Sequence, residues 1–558
     1  MTRFNLSLTD SAKIFKSDTE SKNLQRLLKS LDAEQINLLQ DPDKLEELYL
    51  IDRVNDLQKV EFRIELLSYS FGKPKFKKFC QKINQFINVN NSSIAERKQF
   101  VKKIASFSWG DNLETHSFIE SFELQDIAVI STPVLVSDLE TLSSNPQAYN
   151  SLFLYQNEIL NKINNSFRFS GAKRLIQVPT GGGKTKIAME IVTDFMNNNQ
   201  NSTIVWLAES RELLEQAINE FKKIWIHRGK TGVTINRLWD KHNFVEGVGG
   251  SKIIFAGLSK INNFFKKGNT LQADFIIFDE AHHASAPVYS EIIEKLKKIG
   301  KTRVLGLTAT PGRTNPDETQ VLSDVFDDNQ PITIETHDEN VKPIEFLQKM
   351  GVLSQIRIGG DRIIKIKKLE TVLTAAELRE LQRKSEYPKD SKVIKKIGND
   401  YLRNMIIYNK LSELLSEKRQ IIYFGTSVEQ SRLMYLLLTN FNFKVGFIDD
   451  STSTDKRVDL IKKFDNKEIN CLLNYGVLTA GFDSPSIDTV FIARLTKSPN
   501  TLFQMIGRGI RGPIVKNGTK FCDVYHVQDG YLDRFENFEQ LYESYDEYFM
   551  EKLASGDD

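Results

Sequence analysis

The chain has 558 residues and a mass of 64.0 kDa, which at about 150 residues per domain predicts three to four domains. Hydrophobic residues make up 40% of it and charged residues 27%, a composition that excludes collagen-like and wholly disordered proteins. Because 75 basic residues are set against 73 acidic ones, the net charge is only +2, and a polyanion would have to bind to local basic patches.

Cysteine content and apolar runs bear on the cellular compartment. Only Cys80, Cys471 and Cys522 are present, far apart, which excludes a disulfide framework and a cysteine-rich metal site. The N-terminal residues are polar where a signal peptide needs an apolar run, and no stretch approaches the roughly 18 apolar residues of a membrane span. We therefore expect a cytoplasmic protein without a membrane partner.

Residues 1–145 are predicted to form a mainly α-helical accessory domain, because apolar residues recur there at helical spacing. Between residues 71 and 103, nine Lys and Arg residues accompany a single Glu, and phenylalanines are interleaved among them. This mixture could bind nucleic acid through Lys73, Lys75, Lys77 and Lys78. The alternative is a core face with a solvated lysine side, since Phe76 and Phe79 lie three residues apart.

Two series of short apolar runs follow, separated by amphipathic segments, which is typical of parallel strands buried on both faces. The first series predicts one α/β lobe over 146–345, with strands at 174–178, 203–208, 252–257, 275–278 and 303–307. The second predicts another lobe over 401–530, with strands at 420–425, 444–448, 470–474, 489–495 and 520–527. The lysine-rich residues 346–400 are predicted to be an inter-lobe connection. The fold class is therefore α/β.

The strongest local motif is PTGGGKT at 179–185, a glycine-rich turn between a predicted strand and a predicted helix. Glycines let backbone N–H groups approach phosphate oxygens, and the helix N-terminus adds partial positive charge. Lys184 could then reach the β- and γ-phosphates of a nucleoside triphosphate, while Thr185 could ligate Mg²⁺. Val178 stands where the strict P-loop pattern has its first glycine, so a chance glycine-rich turn is the alternative.

Asp279 and Glu280 follow the apolar run FIIF, at the strand end where open α/β sheets bind their ligands. Asp279 would hold Mg²⁺, and Glu280 would orient and deprotonate the attacking water. His282 and His283 are not predicted to bind a metal ion, because adjacent histidines seldom chelate and no third ligand type clusters with them.

The ordered motifs PTGGGKT, DEAHH at 279–283, LTATP at 307–311 and QMIGRGIR at 504–511 resemble motifs I, II, III and VI of superfamily 2 helicases. With TAGFD at 479–483, the chain looks most like the branch of DEAH-type enzymes that holds restriction-enzyme motor subunits and XPB-type repair helicases. The resemblance covers about residues 150–530 and implies two RecA-like lobes that use ATP and Mg²⁺.

The resemblance also implies roles for individual residues. ATP contacts would come from Tyr155 and Gln156 of a Q-like motif, from Thr180, Gly181, Gly182 and Gly183, and from Gly481 and Asp483 of motif V. Coupling between ATP and nucleic acid would involve His282, Thr308 and Thr310. Nucleic-acid backbone contacts would come from Ser210 and Arg211 of motif Ia and from Thr426 and Ser427 of motif IV.

Gln504, Arg508 and Arg511 match motif VI, with the two arginines as fingers. A guanidinium is a planar, permanently charged group suited to γ-phosphate oxygens, and supplying it from the opposite lobe makes hydrolysis depend on lobe closure. When phosphate leaves, the lobes part, and two surfaces that grip the nucleic-acid backbone move relative to one another.

The sequence therefore predicts an ATP-dependent DNA helicase or translocase of superfamily 2, within a DNA-defence or genome-maintenance complex. No convincing nuclease constellation is found, which suggests a nuclease or effector partner. Two alternatives remain open: an RNA helicase, and a clamp that is switched by ATP without net movement. The acidic residues 531–558 carry an aromatic stripe and are predicted to form a helix that docks on the chain itself or on a partner.

Overall fold

The computed structural model of the chain describes residues 59–110, 112–122, 124, 137–143, 152–167, 171–246, 249–281, 286–298, 301–309, 326, 331–336, 338, 341–367, 369, 371, 373–383, 391–450, 452, 454–478, 484–496 and 499–529. These residues form two parallel-sheet lobes and a helical unit that precedes them. The predicted helix at 531–558 lies outside the described residues, as do His282, Thr310, Gly481 and Asp483.

The first lobe is built on a seven-stranded sheet with the order β1-β4-β5-β3-β6-β7-β2. Its strands are β1 (Leu139–Leu142), β2 (Lys173–Gln177), β3 (Thr203–Ala208), β4 (Val233–Leu238), β5 (Ser251–Gly257), β6 (Phe275–Phe278) and β7 (Arg303–Thr308). All pairings are parallel except that of β1 with β4. Because every residue of β3 and β6 is buried, the predicted continuous apolar runs are confirmed as central strands.

Strand β1 corrects the predicted boundary of the first lobe. The predicted helical domain over 1–145 includes Leu139–Leu142, but this segment pairs with β4 and forms the edge of the first sheet. Glu140 fastens this strand, because its carboxylate lies 2.6 Å from Lys222 Nζ and 3.0 Å from Arg237 Nη2. The run is only four residues long and half-polar, so no apolar pattern marked it as a strand.

The second lobe is built on a parallel sheet with the order β11-β12-β10-β13-β14-β8, and β9 also pairs with β14. Its strands are β8 (Gln355–Arg357), β9 (Ile363–Ile366), β10 (Ile421–Phe424), β11 (Val445–Ile448), β12 (Cys471–Asn474), β13 (Thr489–Ile492) and β14 (Phe521–Asp529). Strands β8 and β9 lie in the segment that was predicted to be an inter-lobe connection. Part of that segment therefore belongs to the second sheet.

Helices precede the first sheet and cover both sheets. Those of the preceding unit are α1 (Val60–Tyr69), α2 (Pro74–Lys82), α3 (Ile94–Ala105) and α4 (Leu113–Ser121). Those of the first lobe are α5 (Leu154–Ser166), α6 (Lys184–Asn198), α7 (Arg211–Arg228), α8 (Leu258–Lys266) and α9 (Ala286–Leu296). The remaining helices are α10 (Pro343–Lys349), α11 (Ala375–Arg383), α12 (Lys392–Gly398), α13 (Tyr401–Ser416), α14 (Val428–Asn440), α15 (Thr454–Asp465) and α16 (Pro499–Ile506).

Helices α1–α4 confirm a helical unit before the first lobe. Phe76 and Phe79 of α2 are buried, as their helical spacing predicts, and α3 begins with a capping box formed by Ser93 and Glu96. The apolar core of this unit is continuous with the core on one face of the second sheet. A second core runs through both lobes, and it includes Leu347, Val352 and Leu353 between them.

No helix in the described part of the chain combines the length and the apolar character that a bilayer crossing requires.

Candidate active site

The site lies in a cavity of about 340 Å³ between the two lobes. Both lobes contribute predicted site residues to its wall. The wall contains Tyr155, Gln156, Thr180, Gly181, Gly183, Lys184, Thr185, Asp279, Glu280, Arg508 and Arg511. Two surfaces that are more than 200 residues apart in sequence therefore meet in one cavity.

The phosphate-loop motif lies between the end of β2 and the start of α6, as the sequence predicts. Gly181 and Gly183 have φ of 89° and 84°, a left-handed conformation that glycine adopts without steric cost. Gly183 is the N-cap of α6, so the helix begins at the loop, where the backbone N–H groups and partial positive charge of a helix N-terminus favour an anion. The arrangement suits a phosphate group.

Lys184 and Glu280 lie together in the cavity wall. Lys184 is only 8% exposed, and its Nζ atom lies 3.5 Å from Glu280 Oε1. The backbone around Glu280 is held in place by two hydrogen bonds, from Asp279 N to Leu207 O at 2.8 Å and from Ala281 N to Leu307 O at 2.7 Å. Glu280 itself has φ of 51°, which is uncommon for a residue with a side chain and recurs at functional sites.

Asp279 and Thr185 form a donor set that fits Mg²⁺. Both side chains lie in the cavity wall and offer oxygen atoms, which are the ligands that this cation prefers. Burial raises the pKa of the Asp279 carboxyl, and the neighbouring Glu280 carboxylate adds to the rise, while Lys184 opposes it. A bound cation would stabilise the charged form of this buried carboxyl.

Tyr155 and Gln156 contact the phosphate loop directly. The Tyr155 hydroxyl donates to Gly182 O at 2.9 Å, and Gln156 Nε2 donates to the same carbonyl at 3.2 Å. Gln156 Oε1 accepts a hydrogen bond from Phe153 N at 3.0 Å. Gln156 therefore braces the loop, and the predicted adenine contact would have to use its remaining N–H or the second lone pair of its Oε1 atom.

The two motif VI arginines approach the phosphate loop from the second lobe. Arg508 is buried, and Arg511 Nη1 donates to Gly507 O at 3.3 Å. A Cβ atom on Gly181 would lie 2.6 Å from Arg511 Nη1, and one on Gly507 would overlap the Thr180 side chain. Gln504 is half-buried on α16, and the described cavity wall does not include it.

Thr308, Ser210 and Arg211 lie at the carboxyl edge of the first sheet. Thr308 is buried at the end of β7, and its carbonyl accepts a hydrogen bond from Val178 N at 3.1 Å, beside the phosphate loop. Ser210 caps α7 through a hydrogen bond from Leu213 N at 3.3 Å. Arg211 lies 4.0 Å from Asp240 and is partly exposed.

The structure does not place Thr426 and Ser427 where they could contact a phosphate group, because both are only 1% exposed. The Thr426 hydroxyl donates to Ala493 O at 2.8 Å and accepts from Arg403 Nη1 at 2.7 Å. Ser427 caps α14 by accepting a hydrogen bond from Gln430 N at 3.1 Å. The structure therefore gives these two residues a structural role and not the predicted phosphate contact, because their hydroxyls form hydrogen bonds within the second lobe.

The predicted basic residues of the helical unit lie in and beside α2. Lys73, Lys77 and Lys78 are exposed, and Lys75 is half-buried. The buried Phe76 and Phe79 belong to the core, so these two rings do not form a stacking surface for bases. The lysines lie outside the inter-lobe cavity.

Sequence reasoning missed part of the cavity wall. Gln216 and Glu220, one turn apart on α7, line the cavity, and so do Phe153 and Val515. Because α7 packs beside α6, its first turns face the cavity. Gln216 lies in the motif Ia run at 206–217 but was given no role there, and the i, i+4 spacing of Gln216 and Glu220 is the sequence signal that places them on a common face.

Comparisons with known proteins agree with this geometry. Residues 150–313 match the family described as type III restriction enzyme, res subunit, and residues 406–512 match the helicase conserved C-terminal domain. A putative ATP-dependent helicase IRC3 of Saccharomyces cerevisiae is 27% identical over 376 residues, which cover 64% of this chain and 49% of that protein. The chain thus spans about half the length of this relative.

Two further proteins are more distant. The ATP-dependent DNA helicase mph1 of Sclerotinia sclerotiorum is 27% identical over 201 residues, which cover 35% of this chain and 16% of that protein. A solved fragment of a putative HsdR subunit of a type I restriction enzyme from Vibrio vulnificus YJ016 is 18% identical with a TM-score of 0.46, covering 70% of this chain and 67% of that one. Together with the ordered motifs, these matches show that the chain carries a domain similar to the res subunit of type III restriction enzymes, followed by a domain similar to the helicase conserved C-terminal domain, and that it resembles superfamily 2 helicases.

Proposed function

We propose that the chain hydrolyses ATP to move along DNA, and that ATP closes the two lobes while loss of phosphate opens them. The observation that carries this proposal is the composition of the inter-lobe cavity. Lys184 and Glu280 come from the first lobe, and Arg508 and Arg511 come from the second. Hydrolysis that needs groups from both lobes couples chemistry to their relative movement.

Each group has a role that follows from its chemistry. The phosphate loop and Lys184 hold the β- and γ-phosphates, and Glu280 orients the attacking water and accepts its proton. Arg508 and Arg511 stabilise the charge that develops on the γ-phosphate oxygens. Mg²⁺, held by Thr185 and Asp279, would neutralise phosphate charge.

DNA is the proposed track, and RNA is the alternative. The proposal is supported by a relative named as a DNA helicase and by the match to a restriction-enzyme subunit. The restriction match also supports a defence complex with a nuclease or effector partner, and genome maintenance is the other setting. Within the chain, the track would contact Ser210 and Arg211 at the edge of the first sheet and the lysines of α2.

Steady-state ATPase measurements test the proposal. Turnover is measured without nucleic acid, and with single-stranded DNA, double-stranded DNA and RNA. Glu280→Gln serves as the hydrolysis control, since it keeps the side-chain shape but removes the base. We expect stimulation by DNA that Glu280→Gln abolishes. Stimulation by RNA alone would overturn the assignment to DNA.

Movement needs a separate measurement, because a clamp could also hydrolyse ATP. If duplex DNA stimulates turnover, displacement of a third strand from a triplex reports net travel along the duplex. We expect displacement by the wild type with ATP and none by Glu280→Gln. ATP-dependent tightening on DNA without displacement would favour the clamp.

The lysines of α2 are tested by charge reversal with a matched control. Lys77 and Lys78 are adjacent and exposed, as are Lys266 and Lys267 at the C-terminal end of α8, away from the carboxyl edge of the first sheet. Each phosphate contact contributes about 0.9 to the slope of log affinity against log salt. Lys77→Glu with Lys78→Glu should lower this slope by up to about two, and Lys266→Glu with Lys267→Glu should not. Equal slopes for both variants would remove α2 from the interface.

A further inference from the structure

The C-terminal end of α10 and the residues that follow it connect the phosphate loop to motif VI. We call residues 347–355 the inter-lobe strap. On its first-lobe side, a Cβ atom on Gly182 would lie 3.3 Å from Leu347 Cδ1, and one on Gly181 would lie 2.7 Å from Leu353 Cδ2. Both leucines are buried in the core that runs through the two lobes. The strap therefore packs against the phosphate loop.

On its second-lobe side, the strap is hydrogen-bonded along the motif VI loop. Gly512 N donates to Val352 O at 2.9 Å, and Ile514 N donates to Gly351 O at 3.1 Å. Further along, Gln355 N donates to Lys520 O at 3.0 Å. Ser354 N also donates to Ile510 O at 3.4 Å, so hydrogen bonds at residues 510 and 512 lie on either side of Arg511 and hold its backbone against the strap.

Ser354 makes the side-chain contact with the backbone of Arg511. Its Oγ atom lies 2.8 Å from Arg511 O and 2.8 Å from Thr519 O, so one hydroxyl hydrogen serves the two carbonyls. Thr519 N also donates to Arg511 O at 2.8 Å. Ser354 is 0% exposed, so no water replaces these contacts. The carbonyl of Arg511 is thus fixed by the side chain of a residue that lies outside all the helicase motifs named in the sequence analysis.

We propose that Ser354 is a positioning residue for ATP hydrolysis, which holds the Arg511 backbone so that its guanidinium reaches the phosphate loop. This inference rests on the proposed function, because it assigns Arg511 to the hydrolytic step. Arginine fingers act only when they are correctly placed, and small displacements of a catalytic group reduce turnover strongly. Since Leu353 and Arg511 both lie against Gly181, the strap also fixes the finger relative to the loop that binds phosphate.

Replacing Ser354 separates this role from a merely structural one. Ser354→Ala should lower kcat by roughly tenfold and leave the KM for ATP within about twofold, because the finger acts on the transition state. Ser431→Ala is the matched control: Ser431 is also 0% exposed in the second lobe, and its hydroxyl donates to Asn474 O at 3.2 Å. The control should lose comparable thermal stability and keep kcat.

A double variant tests whether Ser354 acts through Arg511. In an Arg511→Ala background, Ser354→Ala should cause no additional loss of kcat. An additional, full tenfold loss would overturn the proposal, and so would unchanged kcat in the single variant or an equal loss in Ser431→Ala. If Ser354→Ala does not fold, Ser354→Cys replaces it, with the same KM and a smaller drop in kcat expected.

The proposed function and this inference fail in different ways. Hydrolysis that no nucleic acid stimulates would overturn the proposed function, while the Ser354 variants would still be compared on basal turnover. Absence of any ATP hydrolysis by the wild type would overturn both.

Discussion

At the residue scale, the site depends on backbone conformations that few residues adopt. Gly181 and Gly183 of the phosphate loop have positive φ, which glycine adopts without steric cost, and Glu280 has positive φ between two residues whose N–H groups bond to different strands. Gly181 has a second constraint, since Arg511 and Leu353 occupy the space beside its Cα atom. The glycine at position 181 is thus required both by the backbone conformation of the loop and by the close contact between the lobes.

Gly181→Ala should abolish most ATP turnover. The added Cβ would meet Arg511 Nη1 at 2.6 Å and Leu353 Cδ2 at 2.7 Å, in addition to the cost of a side chain at φ of 89°. Gly268→Ala separates the two effects, because Gly268 has φ of 83° and no atom within 4 Å of the added Cβ. We expect Gly268→Ala to lose about 1–2 kcal/mol of stability and to keep its kcat, and Gly181→Ala to lose more stability, because of the added contacts, together with most of its kcat. Equal kcat in the two variants would mean that the lobe contact is unimportant.

At the element scale, short strands are fixed by side chains far away in sequence. Strands β8 and β9 have three and four residues, too few for a periodic pattern, and they join the second sheet through β14. Asp523 of β14 binds Arg357 of β8 and Arg362 at 2.5 Å each, and it also contacts Arg419 before β10. The buried carboxylate of Asp523 therefore holds the residues around β8 and β9 against β14 in the second sheet.

Asp523→Asn should destabilise the second lobe in a pH-dependent way. Burial by itself raises the pKa of Asp523, but hydrogen bonds from Arg357, Arg419 and Arg362 outweigh it and hold the pKa below its ordinary value. The stabilisation is therefore fully present above about pH 4 and is lost as pH falls through the lowered pKa. We expect a loss of about 1–3 kcal/mol at pH 7 that shrinks at pH 3.5, measured by urea unfolding.

An exposed ion pair provides the comparison for this prediction. Glu345 and Lys349 pair at 2.7 Å on the surface of α10, four residues apart. Because such pairs contribute little, Glu345→Gln should cost less than about 0.5 kcal/mol at either pH. A pH-independent loss in Asp523→Asn would show that packing, and not the charge of Asp523, stabilises the edge.

At the scale of the whole molecule, one cavity and one core are shared by two lobes. The core that runs through Leu347, Val352 and Leu353 joins the lobes, while the groups that we propose to bind phosphate and to neutralise its charge are divided between them. The helical unit shares its core with the other face of the second sheet, so it belongs structurally to the second lobe. A ligand that draws the lobes together would therefore change the distances between surfaces of the first lobe and surfaces of the second.

ATP and nucleic acid should bind with reciprocal coupling. With Glu280→Gln, which holds the ATP state, the affinity for the stimulating nucleic acid should rise by about 5- to 150-fold when ATP is added. By linkage, that nucleic acid should raise the affinity for ATP by the same factor. Fluorescence anisotropy measures both affinities, with labelled nucleic acid for the first and with labelled nucleotide for the second.

Arg511, which we propose as an arginine finger, supplies the control for this coupling. Arg511→Ala, combined with Glu280→Gln, should keep the affinity for nucleic acid without ATP and lose most of the ATP-dependent gain. The reason is that Arg511 lies beside the phosphate loop from the opposite lobe. Coupling that survives the loss of Arg511 would place the link between the two ligands elsewhere.

Sequence reasoning succeeded where local pattern and local chemistry coincide. The ten predicted strands are present, five in each lobe, because buried parallel strands need continuous apolar runs. It failed for Thr426 and Ser427, whose hydroxyls resemble phosphate contacts in sequence but are buried against Arg403, Ala493 and α14. Burial depends on the packing of distant segments.

By itself, the sequence determined the two α/β lobes, the phosphate loop, the acidic pair at 279–280 and the arginines at 508 and 511. Each strand of the lobes and each of these motifs is encoded within a few consecutive residues. Only the tertiary structure decided that β1, β8 and β9 complete the sheets, that Gln156 braces Gly182, and that Ser354 holds the Arg511 carbonyl. These features join segments up to 166 residues apart, as between Arg357 of β8 and Asp523 of β14. No local pattern records such partners, since they are chosen by the packing of the whole chain.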